Sequence, residues 1–278
     1  MPRPRRPACF ALVLISGVAL ASPAEPAAGD TSEAGWRAAS LYLFKESAQR
    51  FPEGSDREAR LGRAALLLLQ QPKTEANLAQ AEAELEELAS IAPASADEPG
   101  IAARYLLGRI AQMHRTKVDS DAAVAHYRRL RSEHPVHFLA DQALVKLAQL
   151  EILAPGLSPR ARLERVDAYA AEAEALVRAG SRRDLHLALA QACADFRLDD
   201  ERALRHFLAA DAAGIESALI RANVAVAIGE LASRLGRPDL ARIHFERYLA
   251  EFTRDYRRTL VRDKLAALAH SPDARRMP

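Results

Sequence analysis

A chain of 278 residues with 39 basic and 37 acidic side chains is close to charge balance. That argues against nucleic acid as a partner, because affinity for phosphates needs a marked basic excess. With 49% of residues hydrophobic and two cysteines, Cys9 and Cys193, stability has to come from packed apolar surface.

The chain opens with Arg3, Arg5 and Arg6, continues through an apolar run from Ala8 to Leu20, and reaches Ala19-Leu20-Ala21 before Ser22. A basic start, a short apolar run and small residues at the end read as a secretory signal peptide at residues 1–21, cleaved after Ala21. The run is short for a membrane span, and the alternative is an uncleaved anchor. Cys9 lies at the start of the run, so it is not the acylated cysteine of a lipoprotein. The mature protein is expected to be periplasmic or secreted, with no transmembrane segment. Cleavage removes three arginines and no acid, which takes the bases from 39 to 36 against 37 acids. Only Cys193 then remains, so no intramolecular disulfide is possible. Its setting, LALAQACADF, predicts a buried, inert thiol.

Residues 22–35, SPAEPAAGDTSEAG, lack an apolar period and read as a flexible linker. From Trp36 the pattern becomes helical. Leu41, Phe44 and Ala48 fall on one face, and Phe51-Pro52-Glu53-Gly54-Ser55 breaks the helix; the next helix runs through Leu61 and Gly62 to Leu69. Ala81 and Leu85 share a helix that ends before Pro93, and Leu107 and Gly108 belong to the one after it. Ala123 and Tyr127 open another that ends at His134-Pro135, followed by Leu144, Leu147 and Ala148. Pro52, Pro93 and Pro135 each fall eight residues after a large side chain, Phe44, Leu85 and Tyr127. Ser158-Pro159 starts a helix that carries Ala173 where an aromatic is expected. Ala203 and Phe207 repeat the small-then-aromatic pair before a break at Gly214.

The clearest unit is Ala222 to Asp255. Ile228 and Gly229 sit in its first helix, Leu235-Gly236-Arg237-Pro238-Asp239 forms the turn, and Ala241 and Phe245 share a face of its second helix. Gly229, lacking a Cβ, lets the second helix approach; Ala241 faces it and Phe245 fills the gap. Gly236 supplies the left-handed residue that ends a helix, and Pro238 suits a first turn. Hairpin dipeptides and alternating β-branched runs are absent, so the fold class is all-α. Residues 271–278 read as a disordered tail.

The L-G and A-x3-F order over about 34 residues resembles the tetratricopeptide repeat; the alternative is an ordinary helical hairpin in a non-repeating bundle. The resemblance implies a right-handed solenoid of about six helix-turn-helix repeats over residues 36–270, with longer spacing around Gly62–Leu85 and Pro93–Gly108 and a degenerate unit from Leu157 to Gly180. The stretch FKESAQRFPEGSDREARLG is similar to periplasmic repeat proteins of outer-membrane assembly and cell division. It implies a non-enzymatic scaffold or adaptor, a monomer or weak homo-oligomer, that binds a protein or peptide in the groove lined by the first helix of each pair. The alternative is an accessory or regulatory subunit of an envelope enzyme. On that pattern Tyr105, Arg109 and Gln112 project from one helix, Gln142, Lys146 and Gln149 from the next, and Asn223, Glu230 and Arg234 from a later one. Tyr105 and Arg109 are the candidate anchors, because aromatic and guanidinium groups dominate interface energy.

Catalytic patterns do not compete. H-E-x-x-H, C-x-x-C, G-x-S-x-G and phosphate-binding glycine loops are absent, and no cofactor or metal is implied. His134 and His137 straddle Pro135 at a helix end. Glu82, Glu84, Glu86 and Glu87 are expected to spread over a solvated face, as are the arginines at 128, 129, 131, 254, 257, 258 and 262. Should the first 21 residues be an export signal, N-terminal sequencing of the protein from an expressing bacterium will begin at Ser22. A sequence that begins at Met1 or Pro2 would mean that the segment is retained.

Overall fold

The computed structural model describes residues 31–54, 56–90 and 97–269. The expected signal peptide, the tail at 271–278, Ser55 and the helix end at Pro93 lie outside the described residues. Thirteen α-helices and one π turn make up the described chain, with no strand among the described residues. The protein is all-α.

Two compact units divide the chain, one through Leu147 and one from Ala148. The first holds α1 (Thr31–Ser40), α2 (Phe44–Arg50), α3 (Arg57–Leu69), α4 (Glu75–Ala89), α5 (Glu98–Arg109), the π turn Ile110–His114, α6 (Ser120–Glu133) and most of α7 (Phe138–Ile152). The second holds the end of α7, then α8 (Pro159–Ala175), α9 (Ala179–Asp195), α10 (Asp200–Ala212), α11 (Ala218–Arg234), α12 (Pro238–Glu251) and α13 (Arg258–Ala269). Part of the segment read as a linker is therefore helical. Thr31 to Gly35 form the first turn and a half of α1, because Gly35 and Trp36 are buried against the Phe51 ring.

Short polar side chains start the helices. Asp56, Thr74, Asp97, Asp119, Ser158, Asp199 and Ser217 each accept a hydrogen bond from the backbone N–H three residues on. Each such cap contributes about 1 kcal/mol. At the other end, Gly236 at φ +68° places Arg237 N–H on Ala232 O at 2.8 Å and its own N–H on Ser233 O at 3.2 Å, which satisfies the last carbonyls of α11. The same pair of bonds ends α1 and α9 without glycine, with Tyr42 at φ 60° and Arg197 at φ 49° in the left-handed position. Leu41, Phe44 and Ala48 thus do not share one helix: α1 stops at Ser40, and Leu41, Tyr42 and Leu43 form an exposed corner.

Within each unit neighbouring helices pack on each other, α3 on α4, α4 on α5 and α5 on α6 in the first, and α8 through α13 in sequence in the second. The small-and-large pairs at i, i+4 supply the contact faces: Ala81 and Leu85, Ala123 and Tyr127, Ala203 and Phe207, Ala241 and Phe245 are all buried. A Cβ on Gly229 would fall within 3.0 Å of the Phe245 ring, and Gly108 meets Tyr127, and Gly62 meets Phe51, in the same way. In the unit that departs from this pattern, Ala173 is buried without an aromatic, and the Arg162 guanidinium covers the Phe196 ring at 3.9 Å.

Polar bonds fix the register of helices two apart. In the second unit Arg202 on α10 donates to Asp167 on α8, 35 residues back. Between α12 and α10, Arg237 donates to Glu201 and Arg247 to Asp211, both 36 back. From the start of α13, Arg257 donates to Asn223 on α11, 34 back, and Lys264 to Glu230 shares that register at 3.1 Å. In the first unit the corresponding offsets are longer: 40 between Arg57 and Asp97, and 39 between Glu98 and His137.

Because the Phe245 ring occupies the space that a side chain on Gly229 would need, Gly229→Val is expected to destabilise the protein by roughly 1 to 3 kcal/mol. Urea midpoints of the two proteins measure it. An unchanged midpoint would be incompatible with this helix contact.

Candidate partner-binding faces

The nine residues expected to line a groove fall in different settings. Tyr105 is only 4% exposed. Its ring packs on Tyr127 at 5.7 Å, so it belongs to the core and does not project as an anchor. The reason is that α5 is buried on all sides, from Pro99 to Gly108, by α3, α4 and α6. Arg109 and Gln112 are half-buried at the C-terminal end of α5. The Tyr127 hydroxyl donates to Gln112 Oε1 at 2.9 Å. Burial and the neighbouring Tyr105 push the Tyr127 phenol well up, while Arg109 beside it acts the other way. Gln142, Lys146 and Gln149 lie half-buried along α7.

In the second unit the three expected residues are engaged within the protein. Asn223 accepts from Arg257 Nη1 at 2.7 Å, and Glu230 pairs with Lys264. Arg234 holds Asp200 with two bonds at 2.8 and 2.9 Å, which lowers the Asp200 carboxyl and raises the guanidinium. They bind helix to helix, and a ligand would have to compete with those bonds. The spacing of acids and bases at 34 to 36 residues was the available sequence signal.

The acidic run on α4 is likewise not merely solvated. Arg60 of α3 sits between Glu84 and Glu87, with Glu87 at 2.7 Å, and Glu82 pairs with Arg115. The Arg60 guanidinium is pushed up, first by Glu84 and then by Glu87. Among the basic groups, Arg129 pairs with Glu133 at 2.7 Å. Arg257 pairs with Asp255 and drives that carboxyl well below the usual range. Arg258 caps α12 through the carbonyls of Leu249 and Phe252.

Among the described residues no three His, Cys, Asp or Glu side chains stand together as a metal-ligand set. His137 Nε2 meets the Glu98 carboxylate at 3.1 Å. Cys193 is fully buried, and burial pushes its thiol up to about 11, which leaves little thiolate. A shallow depression of about 380 Å³ lies between α12 and α13, lined by Arg242, Glu246, Arg262, Leu265 and Ala266. None of the described helices is long and apolar enough to cross a membrane.

No protein-family model matches the chain. No curated protein matches it either.

One polar pair was not foreseen. His186 on α9 and His206 on α10 are each 5% exposed, their rings stack at 5.3 Å, and their Nδ1 atoms lie 3.2 Å apart. One neutral ring donates and the other accepts. Burial pushes His206 down to about 4, with His186, Arg205 and Arg202 acting the same way and Asp167 opposing. His186 is lowered by burial and Arg182, against Glu174. An unfolded histidine titrates near 6.5, so below that pH the unfolded chain binds more protons than the folded one. The stabilising contribution is complete above 6.5 and is lost as the pH falls towards about 4. Urea midpoints should therefore drop across that window, the other lowered histidines such as His114 adding to the fall, and His206→Leu should flatten the slope. A midpoint constant across the window would show that the rings are not held neutral.

Proposed function

We propose that this protein is a tetratricopeptide-like scaffold of the bacterial envelope. It is exported by its N-terminal segment and binds a protein or peptide at the C-terminal end of α5 and along the half-buried side of α7, first helices of their pairs. The observation that carries the reading is the register of helices two apart in the second unit. Offsets of 35, 36 and 34 residues join side chains on α8 and α10, α10 and α12, and α11 and α13, against the 34-residue period of the tetratricopeptide repeat.

The recurrent glycine-to-aromatic contact supports the same reading, because it brings the two helices of a pair close at equivalent positions, Gly108 with Tyr127 and Gly229 with Phe245. The longer offsets in the first unit, 40 and 39 residues, agree with the extended spacing around Gly62–Leu85 and Pro93–Gly108. Arg109, Gln112, Gln142 and Lys146 are the proposed contact residues of the first unit; in the second, Gln149 joins Asn223, Glu230 and Arg234 as secondary positions. The role is non-enzymatic and needs no cofactor.

Photo-activatable cross-linkers placed at Gln112, Gln142 and, as a control, Arg160 on α8 test it in envelope preparations. Discrete adducts at Gln112 or Gln142, weak or absent at Arg160, are the expected outcome. A single enzyme in those adducts would favour the accessory-subunit role, and adducts confined to Arg160 would overturn the proposed face.

A further inference from the structure

Most arginines of this protein are spent on carboxylates or on helix-end carbonyls, but the C-terminal end of α5 gathers cations that are not. Lys73, in the connection between α3 and α4, brings its Nζ to 3.5 Å from His114 Nδ1. Arg109 and Lys73 both oppose a charge on the His114 ring, which is pushed down to about 4 mainly by burial, and no carboxylate acts on it. The next cation along, Arg115, is already held by Glu82 and Asp119. From α6 the facing titratable group is Tyr127, whose hydroxyl donates to Gln112 and also meets the Arg109 guanidinium, so an incoming carboxylate would share Arg109 with that neutral hydroxyl.

The π turn creates this juxtaposition. Its wide loop closes i to i+5 bonds, as Arg115 N–H does on Ile110 O at 3.3 Å. Residues five apart then come one above the other, as residues four apart do in an α-helix. Arg109 and His114 are five apart. The negative end of the α5 dipole offsets only about half a charge, against two full cations at Lys73 and Arg109. A surplus of more than about one positive charge is left beside a half-buried neutral imidazole. With Nδ1 facing the Lys73 ammonium, the imidazole proton belongs on Nε2, which makes His114 a third donor.

We propose that Lys73, Arg109 and His114 form a subsite for the carboxylate side chains of an acidic segment of the partner polypeptide. The subsite deepens the scaffold reading above and rests on it. Tyr127, packed on Tyr105, bonds Gln112 next to the subsite. Charge-assisted bonds from two cations and a ring N–H suit a run of Asp or Glu, which can engage more than one donor at once.

The full chain without its N-terminal 21 residues, titrated with an amidated hexaglutamate peptide and followed by NMR of the His114 ring, tests this. The expected result is a saturable shift of the His114 signal and a rise of its titration midpoint from about 4, since an added anion favours the charged ring. Hexaglutamine should leave both unchanged. K73Q with R109Q, checked for retained helicity by circular dichroism, should bind hexaglutamate roughly tenfold more weakly; should that double variant not fold, K73Q alone at the exposed position serves, with the same direction. A His114 signal that ignores hexaglutamate, or binding undiminished in the variants, overturns the subsite. So does an equal response to inorganic phosphate, which would assign it to small anions. Any of those results leaves the cross-linking outcome at Gln142 standing, so loss of the subsite and loss of the scaffold role read out separately.

Discussion

The ring of Phe245 fills the space over Gly229 where any other residue would carry its first side-chain carbon, and Tyr127 over Gly108 and Phe51 over Gly62 repeat that contact. A bare backbone at one position and a flat ring at the other let two helices come close without an intervening layer of side chains. The adjoining alanines, Ala241 in this pair and Ala123 opposite Gly108, keep the contact thin on either side. Once that spacing is set, the remaining apolar residues have only to fill a gap of fixed width, which Leu, Val and Ala do throughout both units.

Apolar contacts of this type set distance better than register, since alanine and leucine surfaces slide past each other at small cost. The arginine-to-carboxylate bonds supply the missing constraint. Each exposed pair contributes little by itself, about 0 to 1 kcal/mol, yet Arg202, Arg237, Arg247 and Lys264 each prefer one position of the helix two places back. A chain with 39 bases and 37 acids spends much of its charge in this way. The cations at Lys73 and Arg109 lie outside that scheme.

Much of the fold was legible in the sequence because its determinants are local. Capping residues, left-handed glycines such as Gly236 and the small-then-aromatic spacing each report on a few neighbouring residues. Tyr42 and Arg197 mark where that legibility ended. Both take the left-handed position that usually goes to glycine, so the stop after Ser40 was hidden inside the apolar run of Leu41, Tyr42, Leu43 and Phe44. Tyr105 failed for a different reason: reading a face from i, i+4 spacing presumes one buried stripe, and α5 is enclosed all round. Asn223, Glu230 and Arg234 were placed on an accessible face, but their partners lie 34 residues away, where a helical wheel carries no information.

The π turn at Ile110–His114 also governs how the chain takes up an extra residue. A helix that gains one residue must either rotate everything downstream by about 100° or absorb the extra residue in a widened turn. Here the widened turn lies after Gly108, so the glycine contact with Tyr127 keeps its place. An extra residue at this point is therefore accommodated without dismantling the helix pair.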